Sequence, residues 1–385
     1  MRPARKKTLI LLLMIPVLVG AFQLRVKRDM VDFSVNYQAA QRLRLGETLY
    51  RPTDGHYQFK YMPFSAFLYL PFTLLPLGAA KAAWYLVVII STFLVFYLTS
   101  RLLRAGGKKT ALAAAAAAIT LGRYFLRELD LGQINALITT LLMLMILSYD
   151  SWPGRPPRPR ESRGTGLYWG LATALKPYAL IYLPYFVLQK KWLTAARGFL
   201  VLGVAILSPA LFYGPKGNLV VLGEWRSTLS ASTPGLFTTQ DNVSLMGFLT
   251  KWTGRHDLSL ILYAIVLAGL AGLVLAVIRL GGKSERPHVL EGFLLLALIP
   301  LISPLGWDYT MLSAAPALML VVSHLDKYPR PARVFLFINF AVIAFSLFDL
   351  MGRALYDKFM SWSVITVCFM ILIGYLSYLR LRSYA

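Results

Sequence analysis

One cysteine in 385 residues, Cys368, leaves no intrachain disulfide and no thiolate metal site to build. Charge is scarce as well: Asp, Glu, Lys and Arg make up 15% of the chain, while hydrophobic residues make up 57%. A soluble domain of this size must wet its exterior, so the shortage excludes a water-soluble fold and makes lipid the solvent. Acidic residues are the rarest charge, 17 against 40 Lys and Arg, for a net charge of +23. In a soluble chain that excess points to nucleic acid; in a membrane chain it is the bias of cytoplasmic loops toward Lys and Arg. No nucleic-acid partner is expected. The phosphate-cradling G-x-x-x-x-G-K-[ST] loop, the H-E-x-x-H zinc pair and the G-x-S-x-G elbow are all missing, and the four histidines are scattered. The two halves show no obvious internal repeat, which weakens a repeat-built transporter.

What is present is a series of apolar runs about 20 residues long or shorter, the length of membrane segments. The N-terminal Arg2, Arg5, Lys6 and Lys7 precede a run from Leu9 to Phe22. This run reads as an uncleaved first helix in preference to a signal peptide, because many spans follow. With the N-terminus inside, residues 25–78 form a first outer segment whose stretch Pro63 to Pro76 rides the interface. Crossings follow near 79–100, 110–124 and 132–149, then a cytoplasmic Pro/Arg linker at 150–164. A broken pair, 165–176 and 178–188, meets at Lys176-Pro177. A crossing at 194–213 leads to a second outer loop, 214–257. Further crossings at 258–278, 289–303, 309–323, 334–349 and 360–379 end with a cytoplasmic C-terminus. Each short loop placed inside is basic. The expectation is an all-α polytopic membrane protein of about 11–12 segments, a single domain over 1–385, in the cytoplasmic membrane.

That path puts the unusual polar residues on the outer side: Asp32, Asn36 and Tyr37; Arg127, Glu128, Asp130, Gln133 and Asn135; Lys176; Asp241 and Asn242; and Trp307, Asp308 and Tyr309. Charges at membrane depth face a cavity or each other. Each residue also has a plain structural reading. Asp32 fits the N-cap of a helix over 33–45 that Gly46 terminates, as well as it fits chemistry. Lys176 is either a snorkelling lysine or an anion ligand. Gln133 and Asn135 suit interhelical hydrogen bonds, and Asp241-Asn242 suits a turn. Trp307 and Tyr309 fit an interfacial aromatic belt or a sugar-stacking face. Glu128 and Asp130 form a weak candidate pair for a divalent cation, but ion pairing with Arg123 or Arg127 is the preferred reading and no metal is expected.

Six segments in order resemble glycosyltransferase family 87, with its GT-C architecture. They are "DFSVNYQAAQRLRLGETLY", "FKYMPFSAFLYLPFTLLP", "LGQINALITTLLML", "ATALKPYALIYLPYFVLQKKW", "DNVSLMGFL" and "SPLGWDYTML". Met62-Pro63 stands where a double proline is common, and Asp308-Tyr309 where some relatives place a histidine. The resemblance implies transfer of a hexose, often mannose, from a polyprenyl-phosphate donor to a lipid or glycan acceptor on the outer face, with Asp32 as catalytic base.

The chemistry fits these residues. Polyprenyl phosphate is a good leaving group that needs no acid, whereas the acceptor hydroxyl must lose a proton, so one carboxylate suffices. A single displacement inverts the anomeric carbon. Lys176, Arg127 and Arg44 are the candidates for the donor phosphate. Asn36, Tyr37, Gln133, Asn135, Asn242, Trp307 and Asp308 are the candidates for sugar and acceptor. The alternative from another class is a transporter or flippase of an anionic lipid, suggested by the broken Lys176-Pro177 pair.

Overall fold

The structure, a computed structural model, describes residues 16, 18–103, 107–149, 163–281 and 286–382. Most of the expected first helix, the linker through residue 162, parts of two basic loops and the last three residues lie outside the described set. Among the described residues the regular elements are helical, and pairing of strand type is limited to one bridge between Asn242 and Trp307.

Three helices are each long and apolar enough to cross a membrane: Leu77–Leu103, His256–Leu280 and Val364–Leu381. Two more spans are counted if each bent pair is one: Gly107–Leu131 with Asn135–Tyr149, at 117°, and Trp192–Leu207 with Ala210–Ser232, at 90°. Shorter apolar helices make up the rest, among them Pro177–Leu188, Pro287–Ile302 and Asp308–Ser323. The expected all-α membrane fold is therefore present. The expected crossings 79–100, 110–124, 132–149, 258–278, 289–303 and 309–323 largely coincide with one helical element each, whereas the crossing expected at 194–213 is broken. The segment 214–257, expected as a loop, is mostly helical: Ala210–Ser232 turns away from its predecessor at Ser208-Pro209, and Leu245–Thr253 follows. Proline without an N–H, and glycine with positive φ at Gly214, explain breaks that hydropathy does not register.

The centre of the bundle is Pro287–Ile302 beside Asp308–Ser323. The first is buried from Val289 to Leu301 and the second along its whole length. The periphery faces lipid. On Leu77–Leu103 the exposed stripe Leu86, Ile90, Phe93 and Tyr97 is as apolar as the buried stripe Ala80, Trp84, Val88 and Val95. A helix apolar on all sides carries no amphipathic signal, because both solvents it meets are hydrocarbon.

Turns that loop charge assigns to the same side bond to one another. Lys109 reaches Asp326 at 3.8 Å, Ser148 meets Thr165 at 2.6 Å, and Arg286 donates to the Leu102 carbonyl at 2.5 Å. At the same end Arg380 pairs with Glu291 at 3.1 Å, and Tyr185 donates to the other Glu291 oxygen at 3.0 Å. Both charges are almost fully buried, and they tie the last helix to the central one. Removing one partner of a buried pair strands the other. Glu291→Ala is therefore expected to lower stability by about 3–5 kcal/mol, read as a lower melting temperature of the detergent-solubilised protein.

Candidate functional site

The helix Val31–Leu45 carries Asp32 in its first turn, but Asp32 does not cap it. The N-cap is Met30, in left-handed conformation (φ 41°, ψ 46°) and without a side-chain cap. The capping reading of Asp32 is thereby corrected: its carboxylate accepts from Gln133 Nε2 at 2.7 Å, across the fold. Its other oxygen has no partner among the described residues. Gly46 ends the helix as expected, at φ 68°. Asn36 donates to the Asp32 carbonyl at 2.7 Å and keeps a buried, unpartnered Oδ1. Tyr37 donates to the Leu75 carbonyl at 2.9 Å, pinning the helix to the end of the proline-punctuated stretch. Phe33 packs among Tyr69, Phe72 and Trp84, with ring centroids about 6 Å apart.

Gln133 reaches Asp32 because the chain reverses at residues 131–135, between two apolar helices. Gly132 sits there at φ 68°, and its carbonyl accepts from Trp84 Nε1 at 2.8 Å. A Cβ at Gly132 would lie 2.7 Å from the Phe33 Cβ, so only glycine lets the turn approach the Asp32 helix. The Met30 N–H donates to the Asp130 carbonyl at 2.8 Å, closing the same contact. Behind the turn, fully buried Glu128 accepts from Asn135 Nδ2 and from the Ala136 N–H, both at 2.8 Å. A carboxylate there satisfies first-turn N–H groups of the next helix. Asn135 Oδ1 in turn accepts from Lys176 at 2.8 Å and from Tyr178 at 2.9 Å.

The expected pairing of Glu128 with an arginine is not found, because Arg123 and Arg127 turn to Asp308. That carboxylate, fully buried, lies 3.1 Å from Arg123 Nη2 and 2.9 Å from Arg127 Nη1; Arg127 Nη2 also meets Asp241 at 2.6 Å. Arg123 further donates to Ser346 and, at 2.9 Å, to the Tyr356 hydroxyl. Two cations and two anions balance in one network. Asn242 is a tie between loops: its Oδ1 accepts from the Ser244 and Gly306 N–H groups at 3.1 Å, and its Nδ2 faces the Pro304 carbonyl at 3.3 Å. Trp307, half-buried, is held beside it by the backbone bridge. Arg44 is exposed near the far end of its helix, with only Thr73 at 3.5 Å. Asp32, Gln133, Asn135, Lys176 and Tyr309 are thus brought together, while Arg44 stands apart.

Burial raises the pKa of Asp32 above its ordinary value of 3.8; the Gln133 hydrogen bond and the positive charges of Lys176, Arg127 and His56 act against that rise. Two residues not foreseen from sequence also sit here. Tyr61 donates to Gln133 Oε1 at 3.1 Å. Lys60, half-buried, has no bonded partner for its ammonium among the described residues; burial lowers its pKa while the charge of Asp32 opposes the shift. Both lie in "FKYMPF", where the aromatic alternation drew attention away from a lysine that flanks two inward rings. As for a metal, both Glu128 oxygens are engaged, and no group of three or more His, Cys, Asp or Glu side chains suited to an ion occurs among the described residues.

Comparison with known proteins gives three findings. The sequence model of "Glycosyltransferase family 87" matches residues 59–304. The chain is 26% identical over 288 residues to a polyprenol-phosphate-mannose-dependent alpha-(1-2)-phosphatidylinositol pentamannoside mannosyltransferase of Mycolicibacterium smegmatis. It is also 26% identical over 297 residues to the corresponding phosphatidylinositol mannoside mannosyltransferase of Mycobacterium tuberculosis. Each alignment covers 72% of this chain and 64% of the relative, so the chain spans less than two thirds of those proteins' length. Among solved structures, ArnT from Cupriavidus metallidurans in the apo state aligns over 97% of this chain and 77% of its own, at 14% identity and a TM-score of 0.43.

The turn geometry yields a direct test. Gly132→Ala adds a Cβ at a positive φ and against Phe33. It is expected to cost about 1–3 kcal/mol of stability, whereas Gly122→Ala, with open space around its Cβ position, should leave the melting temperature unchanged.

Proposed function

The chain belongs to glycosyltransferase family 87, and from that premise we propose that it transfers mannose from a polyprenyl-phosphate donor to a lipid or glycan acceptor. The transfer takes place at the outer face of the cytoplasmic membrane. The observation that carries the reading is Asp32. It is a half-buried carboxylate that does not serve its own helix, is held from across the fold by Gln133, and keeps one oxygen without a partner among the described residues. The relatives' names supply the donor class and the sugar.

In the proposed step the free oxygen of Asp32 takes the proton of the acceptor hydroxyl as that oxygen attacks C1 of the sugar. The bond from C1 to the phosphate oxygen breaks, and the polyprenyl phosphate leaves with the electron pair. One displacement inverts the anomeric carbon. Of the cations considered for the phosphate, Arg127 is balanced by Asp308 and Asp241, Lys176 is engaged with amide oxygens, and Arg44 lies roughly 18 Å along its helix from Asp32. Lys60, without a partner and close enough to feel the charge of Asp32, is the cation we place at the departing phosphate. The unpartnered Asn36 Oδ1 and the half-buried Trp307 are the groups we place against the sugar. The flippase alternative asks for binding groups at both ends, and the buried charges of the opposite end, Glu291 and Arg380, already satisfy each other.

Transfer is measured in membranes with a labelled polyprenyl-phosphate sugar. Asp32→Asn is expected to lower kcat by about 10²–10⁴-fold, the usual worth of a general base, with unchanged expression and melting temperature. A well-folded variant that keeps full transfer would remove Asp32 from the mechanism. Because the base works deprotonated and burial raises its pKa, wild-type kcat should rise with pH along an acid limb lying above 3.8. Lys60→Met should raise KM for the donor.

A further inference from the structure

We propose that Gln133 is a positioning residue for Asp32, locked in one amide orientation by Lys176, and that neither Gln133 nor Lys176 is a substrate ligand. The inference rests on Asp32 being the base.

An amide side chain has an accepting oxygen and a donating nitrogen, and the two ends look alike until their neighbours decide between them. One end of Gln133 faces the Lys176 ammonium at 3.4 Å and the Tyr61 hydroxyl at 3.1 Å. An ammonium only donates, so that end is the oxygen. The other end faces the Asp32 carboxylate at 2.7 Å, which when ionised only accepts, and the Tyr309 hydroxyl at 3.2 Å. Reversing the amide would set NH2 against the ammonium and oxygen against the carboxylate.

The same logic repeats one step away. Asn135 offers its oxygen to Lys176 at 2.8 Å and its nitrogen to Glu128 at 2.8 Å. Lys176 thus stands between two amides and points each one's N–H groups at a carboxylate, Glu128 on one side and Asp32 on the other. Glu128 is sealed in the protein; Asp32 is not. With two of its three donors on amide oxygens and its ammonium 5.1 Å from the Tyr61 ring and 5.8 Å from the Tyr178 ring, half-buried Lys176 is held by protein groups on several sides. The result at Asp32 is a carboxylate with one oxygen held by a donor, which favours its ionised form and fixes its plane, and the other oxygen aimed away for the acceptor hydroxyl.

The titratable and charged groups coupled electrostatically to Asp32 come from four elements: His56, Lys60 and Tyr61 of the segment before the proline stretch; Arg127; Lys176; and Tyr309. Gln133 joins three of these to Asp32 through bonds.

The test is the pH dependence of kcat and the donor KM in membranes, with melting temperature measured for every variant. Gln133→Leu is expected to lower kcat tenfold or more, move the acid limb to higher pH and change donor KM less than threefold. Lys176→Met should move the limb in the same direction, and Gln133→Leu/Lys176→Met should move it by less than the sum of the two single shifts, because part of the Lys176 effect passes through Gln133. Lys176→Arg, which keeps a donor toward the amide oxygens, should retain the wild-type limb, and it serves if the methionine variant fails to fold. A rise in donor KM with the acid limb in place, for Gln133→Leu or for either Lys176 variant, would make these residues substrate ligands and overturn the proposal. Full transfer by Asp32→Asn would instead defeat the reading on which it rests, so the two failures are distinct.

Discussion

The site exists because two pieces of chain with unrelated local preferences are pressed together: the start of the helix Val31–Leu45 and the reversal at residues 131–135. Gly132 makes the approach sterically possible, and Phe33 fills the space its missing Cβ leaves. The backbone bond from Met30 to Asp130 and the Trp84 bond to the Gly132 carbonyl hold the two pieces in register. The bond of the Asp32 carboxylate to Gln133 follows from this closure. Move the turn by the width of one methyl group and Gln133 no longer meets the carboxylate. A helix N-terminus that lacks a side-chain cap is then less surprising: Met30 adopts the left-handed conformation that feeds the helix into the turn, and backbone strain there is compensated by contacts on both sides.

Burying charge in a bundle immersed in lipid is costly unless partners are close. The protein resolves this with closed groups. Arg123, Arg127, Asp308 and Asp241 balance one another, Arg380 balances Glu291, and Glu128 is met by an amide and a backbone N–H while Lys176 lies on the amide's other side. Beside the reversal at residues 131–135, Asp32 keeps one open oxygen and Lys60 an open ammonium among the described residues. Opposite charges that are near each other yet not bonded are what a site needs when its substrate brings one proton to remove and one anion to stabilise.

Sequence reasoning reached a good part of this. Gly46 as terminator, the Lys176-Pro177 break, the all-helical membrane class and the gathering of polar residues at one end were all legible, because each rests on local chemistry or on loop charge. Partner choice was not. Asp308 and Arg123 are 185 positions apart, and Asp32 and Gln133 are 101 apart; no spacing rule links such residues. The arginines expected to pair with Glu128 lie at i−1 and i−5, neither of which shares its face of a helix, and Glu128 turns inward to Asn135 and Ala136 instead. Asn242 was read as a sugar ligand or a turn residue, and the structure engages both ends of its amide within the protein. The crossing expected at 194–213 breaks at Ser208-Pro209 for a related reason. Hydropathy averages across a proline or a left-handed glycine that the backbone cannot ignore.

The two ends of the bundle differ in a way that composition hides. At the end with the basic loops, the buried pair Arg380 and Glu291 has its acceptors filled by Tyr185 and by each other, and it binds one helix to the next. At the other end, hydrogen-bonding capacity is left over next to Asp32: its own second oxygen, the Asn36 oxygen and the Lys60 ammonium. Unfilled capacity in a half-buried place lowers stability, since each such group gives up some of its water without full return from the protein. Folding alone would favour filling it, as it is filled around Glu291 and Arg380 at the opposite end. Its persistence beside a carboxylate clamped from across the fold is the observation that supports the proposed transfer site there.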